Sequence, residues 1–496
     1  MTNARPSHHH HGVLRFRPSE AELRALLRLA LPIVVVQVGL MLMGVVDTIV
    51  VGRLSAEALA GVAVGNMYFY SIAIFGMGGL LALDPIVSQA VGARDPEAIR
   101  RAIQRGMMLA FLLAIVVSLG FLPATSVLRA LHQPPEVVPL AATFTRIMIP
   151  GALPFFAFIV LRQTLQSMTI VRPIVVAIVV ANLTNLLLNW MLVFGNLGMP
   201  ALGVAGSAWA TTISRFLLFV IVLVATWPTL GPYLRPIQRE SFDLRALLRM
   251  CYLGFPIGFH HAMEYGLFAA VMVIMGTLGT IEVASHQVAI NLASLTFMVP
   301  FGVSQAGSVL VGHAVGRGDD DAARRAAGAA LFVGTSFMAV MGVMFLVLPE
   351  LLASVYTRDV SVLALSIVLL RIAGVFQVFD GLQVVSTGIL RGAGDTRVPA
   401  IAGLVGYWLV GMPISLAFGF ALNGGAVGLW WGLVAGLGAV AIFLMARVYQ
   451  RLTGSLERVA IESEQLQGVS GVSGVSGVSG VSGVSGVSGV SGVSGV

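Results

Sequence analysis

Two acidic side chains lie inside long apolar segments, where a charge is costly. Asp380 is near the middle of residues 371–395, and Glu264 is midway along another apolar segment, with His260 and His261 one turn before it. A charged group at that depth costs roughly 2.5 to 3.5 kcal/mol on insertion scales, so it persists only with a partner and a task. Because burial favours a protonated carboxyl and a nearby cation favours an ionised one, such groups can exchange H⁺ for another cation. We therefore interpret Glu264 and Asp380 as a site for Na⁺ or H⁺.

Both acids also have structural explanations that the sequence leaves open. Asp380 could form an ion pair with Arg371 or Arg391, and Glu264 could be held by one of the two histidines that precede it. The paired histidines do not indicate a zinc site, because HHxxE lacks the spacing of HExxH and has no further ligands.

Amide and hydroxyl side chains accompany these acids at helical spacing. One stripe on a 3.6-residue helix contains Gln377, Asp380, Gln383 and Thr387. A second stripe, in an earlier apolar segment, contains Gln287, Asn291 and Ser294. We expect these oxygen ligands to complete a cage with Glu264 and Asp380. For each amide, hydrogen bonding between helices is the alternative explanation.

A second polar cluster is expected in the first half of the chain. Asp47 lies near the end of its apolar segment, and a later segment carries Asn182, Asn185 and Asn189 on one face. Hydrogen bonding between helices is again the alternative to contact with an ion or ligand. Asp84 lies at the end of another segment, where helix termination and loop hydrogen bonding are the default explanations.

The composition is that of a multi-pass membrane protein. Of the 496 residues, 57% are hydrophobic and 10% are charged, which is more apolar surface than a soluble globule can bury. The basic residues are all arginine and lie mostly between apolar segments, so the net charge of +7 does not indicate a nucleic-acid partner. The sequence has no Walker A, HExxH or GxSxG motif, so we expect neither an enzyme nor an ATP-driven pump, and no cofactor.

Windows of about 20 apolar residues, the length that crosses a bilayer, predict twelve membrane spans, six in each half of the chain. The predicted spans are 27–51, 59–83, 106–128, 137–164, 173–195, 203–227, 246–277, 281–311, 327–348, 360–391, 399–421 and 424–446. We divide the chain into an N-terminal tail (1–22), a first lobe (23–228), a linker (229–245), a second lobe (246–450), a C-terminal segment (451–467) and a Gly-Val-Ser tract (468–496). The tract and the four histidines 8–11, which we interpret as a polar tail, are excluded from the functional argument.

Arginines predict the orientation, since positively charged short loops stay in the cytoplasm. The termini and the loops on their side carry 23 arginines, whereas the opposite loops carry only Arg53, Arg129 and Arg358. We therefore expect both termini in the cytoplasm.

The two halves of the chain also repeat each other. LRALLR (23–28) recurs at 244–249, and QAVGARD (89–95) recurs as HAVGRGD (313–319). Because each half has an even number of spans, the copies share one topology and are expected to be related by an axis along the membrane normal. This symmetry predicts a cavity between the halves.

Four segments of the chain contain recognisable motifs: VVDTIVVGRLSAEALAGVAV (45–64), GFPIGFHHAMEYGLFAA (254–270), VASHQVAINLASLTFMVPFGVSQAGSVLVGH (283–313) and QVFDGLQVVSTGILRGAGDT (377–396). The motifs HQVAIN and LRGAGD are the most specific of these. They resemble the multidrug and toxic compound extrusion (MATE) family, in its NorM-type bacterial branch. The resemblance implies an all-α integral membrane protein with twelve transmembrane helices in two six-helix lobes that face each other in a V. It also implies a multidrug efflux antiporter of the bacterial inner membrane that exports organic cations in exchange for inward Na⁺ or H⁺.

The resemblance also assigns roles by motif position. The residues implied are the second-lobe coupling acids Glu264 and Asp380, the first-lobe cluster of Asp47, Asn185 and Asn189, and Gln287 and Asn291 in a polar motif. The paired histidines match no motif of the family. We expect a monomer whose partners are small organic cations, a monovalent cation and the lipid bilayer. A flippase for lipid-linked saccharides is the alternative in the same superfamily, but it would be expected to have a cationic cavity.

Overall fold

The computed structural model describes residues 16–459. The histidines 8–11 and the Gly-Val-Ser tract lie outside the described residues. Within residues 16–459 every regular element is a helix, which confirms the predicted all-α class. We call the helices up to residue 234 the N-half and those from residue 244 the C-half.

The helices of each half follow one another with short connections. The N-half contains α1 (Glu20–Gly52), α2 (Ala56–Leu81), α3 (Leu83–Gly92), α4 (Pro96–Phe121), α5 (Ala124–Ala130), α6 (Val137–Ile147), α7 (Ile149–Ser167), α8 (Arg172–Phe194) and α9 (Val204–Leu234). The C-half contains α10 (Leu244–Leu278), α11 (Thr280–Arg317), α12 (Asp320–Val347), α13 (Pro349–Ser354), α14 (Val360–Gly392), α15 (Arg397–Ala421) and α16 (Gly425–Thr453). Eleven of these are long and apolar enough to cross a membrane, and α6 with α7 supplies a twelfth span. The prediction of twelve spans is therefore confirmed.

Prolines break two of the predicted spans. The span predicted at 137–164 is two helices that meet at Met148 with a bend of 54°, because Pro150 has no N–H to continue the hydrogen-bond ladder of α6. The span predicted at 59–83 ends at Leu81, and Pro85 stands in the first turn of α3. Asp84 therefore begins a new helix and does not terminate one.

The repeated motif at 89–95 and 313–319 forms the same local structure twice. Arg94 and Gly318 both have positive φ, at 54° and 70°, which ends the preceding helix. The next residues, Asp95 and Asp319, cap the following helices, since their carboxylates accept hydrogen bonds from backbone N–H groups at 2.9 and 2.8 Å.

The halves contact each other reciprocally, as a two-fold axis requires. Helix α1 packs on α11 and its repeat partner α10 packs on α2. At one end of the bundle there is no room for a side-chain atom at Gly92 against His313, or at Gly316 against Gln89. In the repeat, Gly92 corresponds to Gly316 and Gln89 corresponds to His313. The two contacts are therefore equivalent, since each pairs the glycine of one half with the Gln or His of the other half. We call this contact of α3 with α11 the terminal seam.

Both ends of the described chain lie on the side of the terminal seam. Phe16 stacks on Tyr449 with ring centroids 6.2 Å apart, and Arg458 pairs with Asp95 at 3.0 Å. We call this side the terminal end of the bundle. The shared side agrees with an even number of spans.

Candidate functional site

A cavity of about 770 Å³ lies between α2 of the N-half and α10, α11 and α14 of the C-half. The lining residues come from the middle turns of these four helices, so the cavity lies at mid-depth in the bundle. Most of its wall is apolar or aromatic, with the rings of Tyr70, Tyr265, Phe268, Phe297 and Phe376. The only ionised or ionisable side chains of the lining, apart from the two tyrosines, are Glu264, Asp380 and His261.

Glu264 and Asp380 are brought together by a shared hydrogen-bond donor. The amide nitrogen of Gln383 donates to Glu264 Oε1 at 2.8 Å and to Asp380 Oδ1 at 3.4 Å. His261 Nδ1 lies 3.8 Å from Glu264 Oε2, beyond hydrogen-bond range. A pair of carboxylates with one neutral donor between them leaves lone pairs for a proton or a small cation.

The structure does not show the ion pair considered for Asp380, whereas His261 lies within ion-pair distance of Glu264, so a histidine partner for that acid remains. Arg391 pairs with Asp84 and not with Asp380, and Arg371 is exposed. His260 donates its Nδ1–H to the carbonyl of Pro399 at 2.9 Å, so that nitrogen is not available to Glu264.

The amides predicted to complete a cage are only partly in place. Gln287 is exposed and donates to Asn291 at 3.1 Å, and neither residue lines the cavity, so the structure does not bring them to the acids. Gln377 is buried and donates to the hydroxyl of Thr296 at 2.7 Å. Ser294 does line the cavity. The α11 stripe thus turns only one of its three polar residues to the site.

In the N-half, Asp47 is held by donors on two other helices. Its Oδ1 accepts from Asn185 at 3.2 Å and from Asn189 at 2.8 Å, both on α8. Its Oδ2 accepts from the hydroxyl of Thr211 on α9 at 2.7 Å. Asn182, on the same face, instead donates to backbone carbonyls of α1 and α8. Asp47 and its donors are buried and do not line the cavity.

Two buried side chains near Asp47, those of Thr211 and Arg215, were not placed by the sequence analysis. Thr211 lies in the apolar α9 and gives no signal except its hydroxyl. Arg215, one turn further along, is buried with its guanidinium 4.5 Å from the ring centroids of both Phe69 and Phe155. A buried arginine between two aromatic faces is stabilised by cation–π attraction, and its occurrence inside a span was the available sequence signal.

Asp84 was assigned to helix termination, and the structure corrects this. Its Oδ2 accepts from Arg391 Nε at 2.9 Å, and both side chains are only 6% exposed. The pair joins α3 of the N-half to α14 of the C-half beside the terminal seam. The two residues are 307 positions apart in the chain, and no local sequence pattern links their helices, so the sequence could not predict this pair.

Comparison with known proteins places the chain in a family. The MatE family model matches residues 32–191 and again residues 256–416, which confirms the internal repeat. A probable multidrug resistance protein NorM of Mesorhizobium japonicum is 37% identical over 87% of this chain and 94% of its own, and one of Pseudomonas putida is 36% identical over 89% and 97%.

Solved structures agree on the fold. The eukaryotic MATE transporter AtDTX14 superposes with a TM-score of 0.77 at 23% identity, covering 90% of this chain and all of that one. The outward-facing conformation of a MATE family multidrug resistance transporter of the MOP superfamily gives 0.79 at 20% identity, over 90% and 99% of the two chains. Since the family model matches both halves and the NorM proteins align along nearly their whole length, the chain belongs to the MATE family.

Proposed function

We propose that the chain is a secondary active multidrug efflux transporter that exports organic cations in exchange for inward Na⁺ or H⁺. The observation that carries this proposal is the pair Glu264 and Asp380 in the wall of an otherwise aromatic cavity. Aromatic faces and carboxylates both attract organic cations, and rings accept many shapes because every ring has a π-face. The relatives named as multidrug resistance proteins support the same substrate class.

The two acids couple the flows by competition. A coupling ion bound at Glu264 and Asp380 neutralises the wall of the cavity and weakens the hold on a cationic drug. Departure of that ion restores the negative charge and favours the next drug molecule. The concentration gradient of the coupling ion drives export, and each inward charge in excess of the charge carried out on the drug adds about 2.3 kcal/mol per 100 mV of membrane potential. The acidic wall also favours this function over a saccharide flippase, whose pyrophosphate would need a cationic cavity.

Alternating access requires the terminal seam to open. We place the terminal end in the cytoplasm of a bacterial inner membrane, because most arginines lie on that side. The contacts at Gly92 and Gly316 and the Asp84–Arg391 pair close that side, so the drug enters only after they separate.

Transport in proteoliposomes under separately imposed Na⁺ and pH gradients tests the proposal. We expect ethidium efflux driven by one of the two gradients, and a loss of about 100-fold or more in Glu264→Gln and in Asp380→Asn, since charge at the site is removed. Glu57→Gln, at the exposed start of α2, is the matched control and keeps full activity. Unchanged efflux and ion dependence in both site variants would overturn the proposal.

Charge reversal tests the part of the Asp84–Arg391 pair in access. In a Cys251→Ser background, a cysteine at buried Ser88 reports opening of the seam through labelling of inside-out vesicles by an impermeant maleimide. Asp84→Arg or Arg391→Asp alone should raise the labelling rate, and the double reversal should restore it. Reversal of Asp321, whose partner Arg324 is on the same helix, is the control and should leave labelling unchanged. Equal labelling in all variants would remove the pair from the gate.

A further inference from the structure

Helix α15 departs from regular α-helical structure at the level of the acid pair. Residues Leu404–Gly411 form a π-helical stretch of eight residues. Such stretches are rare overall and frequent at functional sites, and α15 has a second one at Ala417–Ala421. Tyr407 lies in this stretch and is fully buried.

Tyr407 lies against the part of α10 that carries Glu264. The indole N–H of Trp408 donates to the carbonyl of Met263 at 3.2 Å, so the π-helical stretch sits at the level of the residue that precedes Glu264. The ring of Tyr407 lies 6.1 Å from that of His260, one turn before Glu264 on α10. His260 is itself held by its bond to Pro399 at the start of α15.

The hydroxyl of Tyr407 has no hydrogen-bond partner among residues 16–459, although it is buried. Buried polar atoms are almost always paired, so an unpaired one needs a reason. The same holds for the amide oxygens Gln383 Oε1 and Gln377 Oε1. The hydrogen bonds assign the oxygen and nitrogen of each amide, because Gln383 Nε2 donates to the carboxylates and Gln377 Nε2 donates to Thr296, so that the unpaired atom of each amide is its oxygen. One of these unpaired oxygens, Gln383 Oε1, belongs to the amide that bonds both acids.

We propose that Tyr407 is a ligand of the ion site, and that its hydroxyl oxygen, with Gln383 Oε1, completes the oxygen shell of the cation held by Glu264 and Asp380. The inference rests on the proposed function. Hard cations take oxygen ligands, and the same lone pairs accept a hydrogen bond from a protonated carboxyl. In both cases, Na⁺ coupling and H⁺ coupling, an oxygen lone pair of the shell contacts the ion or the carboxyl proton. Tyr407 acts on the ion and leaves the drug to the aromatic wall, which it does not line.

Tyr407→Phe removes the hydroxyl and keeps the ring against His260. In proteoliposomes we expect the Na⁺ concentration, or the proton concentration, that gives half-maximal ethidium efflux to rise by about tenfold, as for the loss of one hydrogen bond or ligand. The maximal rate and the ethidium affinity without a gradient should change less than twofold. Tyr68→Phe is the matched control, because it deletes a phenol hydroxyl that already donates to the Gly120 carbonyl at 2.6 Å.

Thermal stability in detergent gives a second readout that does not depend on transport. If Na⁺ is the coupling ion, replacing choline chloride with NaCl should raise the Tm of the parent protein. If H⁺ is the coupling ion, lowering the pH at constant ionic strength should raise it. Tyr407→Phe should lose most of that rise and Tyr68→Phe should keep it. A Tyr407→Phe protein with lower Tm but the parent ion response would overturn the inference. If Glu264→Gln also keeps the parent ion response, the proposed function itself fails; if Glu264→Gln loses it, only the role of Tyr407 fails.

Discussion

Asp47 in the N-half and the pair Glu264 and Asp380 in the C-half are buried acids in very different surroundings. Asp47 receives three hydrogen bonds, which occupy both of its oxygens, and it does not line the cavity. The C-half pair lines the cavity, and its two carboxylates share the single amide donor of Gln383. The first site is held by its own protein donors. The second retains free lone pairs that face the cavity.

The internal repeat does not account for either site. Shifting residue numbers by 224, the offset between QAVGARD and HAVGRGD, gives the counterpart of each acid. At that offset the counterparts of Asp47, Glu264 and Asp380 are Val271, Leu40 and Phe156, and at every offset from 221, that of LRALLR, to 224 the counterpart is not acidic. The two copies therefore share the helix caps and the terminal seam, where contacts are reciprocal, whereas the acids differ between them.

Truncation of the acids should separate the two sites most strongly. Asp47→Ala leaves three buried donors without their acceptor, at about 1 kcal/mol each, so the free energy of unfolding should fall by about 3 kcal/mol. Asp380→Ala removes an acid with one long bond and relieves its repulsion with Glu264, so stability should change by less than about 1 kcal/mol. Unfolding by SDS in mixed micelles measures both. Equal losses would show that the C-half pair is as firmly bonded as Asp47.

The sequence predicted the spans well because each depends on a local run of apolar residues. It predicted α6 and α7 as one span, since the run is unbroken and the proline effect appears only in backbone hydrogen bonding. It also predicted that Asp47 and the α8 amides form a polar cluster, because Asn185 and Asn189 are four residues apart on one face. Contacts that join distant helices, such as Asp84 with Arg391, leave no such local pattern.

Helical periodicity was less reliable for the residues around the C-half acids. Gln287 and Asn291 share a stripe with Ser294, yet only Ser294 reaches the cavity, because a stripe defines a face and not its direction. Tyr407 could not be placed by periodicity at all, since a 3.6-residue repeat does not describe a π-helical stretch.

Removal of the bridging amide should show that the C-half site depends on one donor. Gln383→Met keeps the chain length and deletes the donor to both carboxylates, so we expect a loss of about 2 kcal/mol in unfolding free energy. Gln377→Met, one and a half turns earlier on α14, deletes a bond to neutral Thr296 and is the matched control with a loss below about 1 kcal/mol. Equal losses in the two variants would indicate that Gln383 does not bond the acids.

Removal of one donor from Asp47 should have the smallest effect, because two donors remain. Thr211→Val is nearly isosteric and deletes the bond to Oδ2, while Asn185 and Asn189 still donate to Oδ1. We expect a loss of about 1 kcal/mol, in the range of single hydrogen bonds between membrane helices. The neighbouring Thr212→Val, whose hydroxyl donates to the Ile147 carbonyl, is the matched control and should lose about the same. A loss in Thr211→Val as large as that in Asp47→Ala would contradict shared bonding, because it would make Thr211 the one contact that holds this acid.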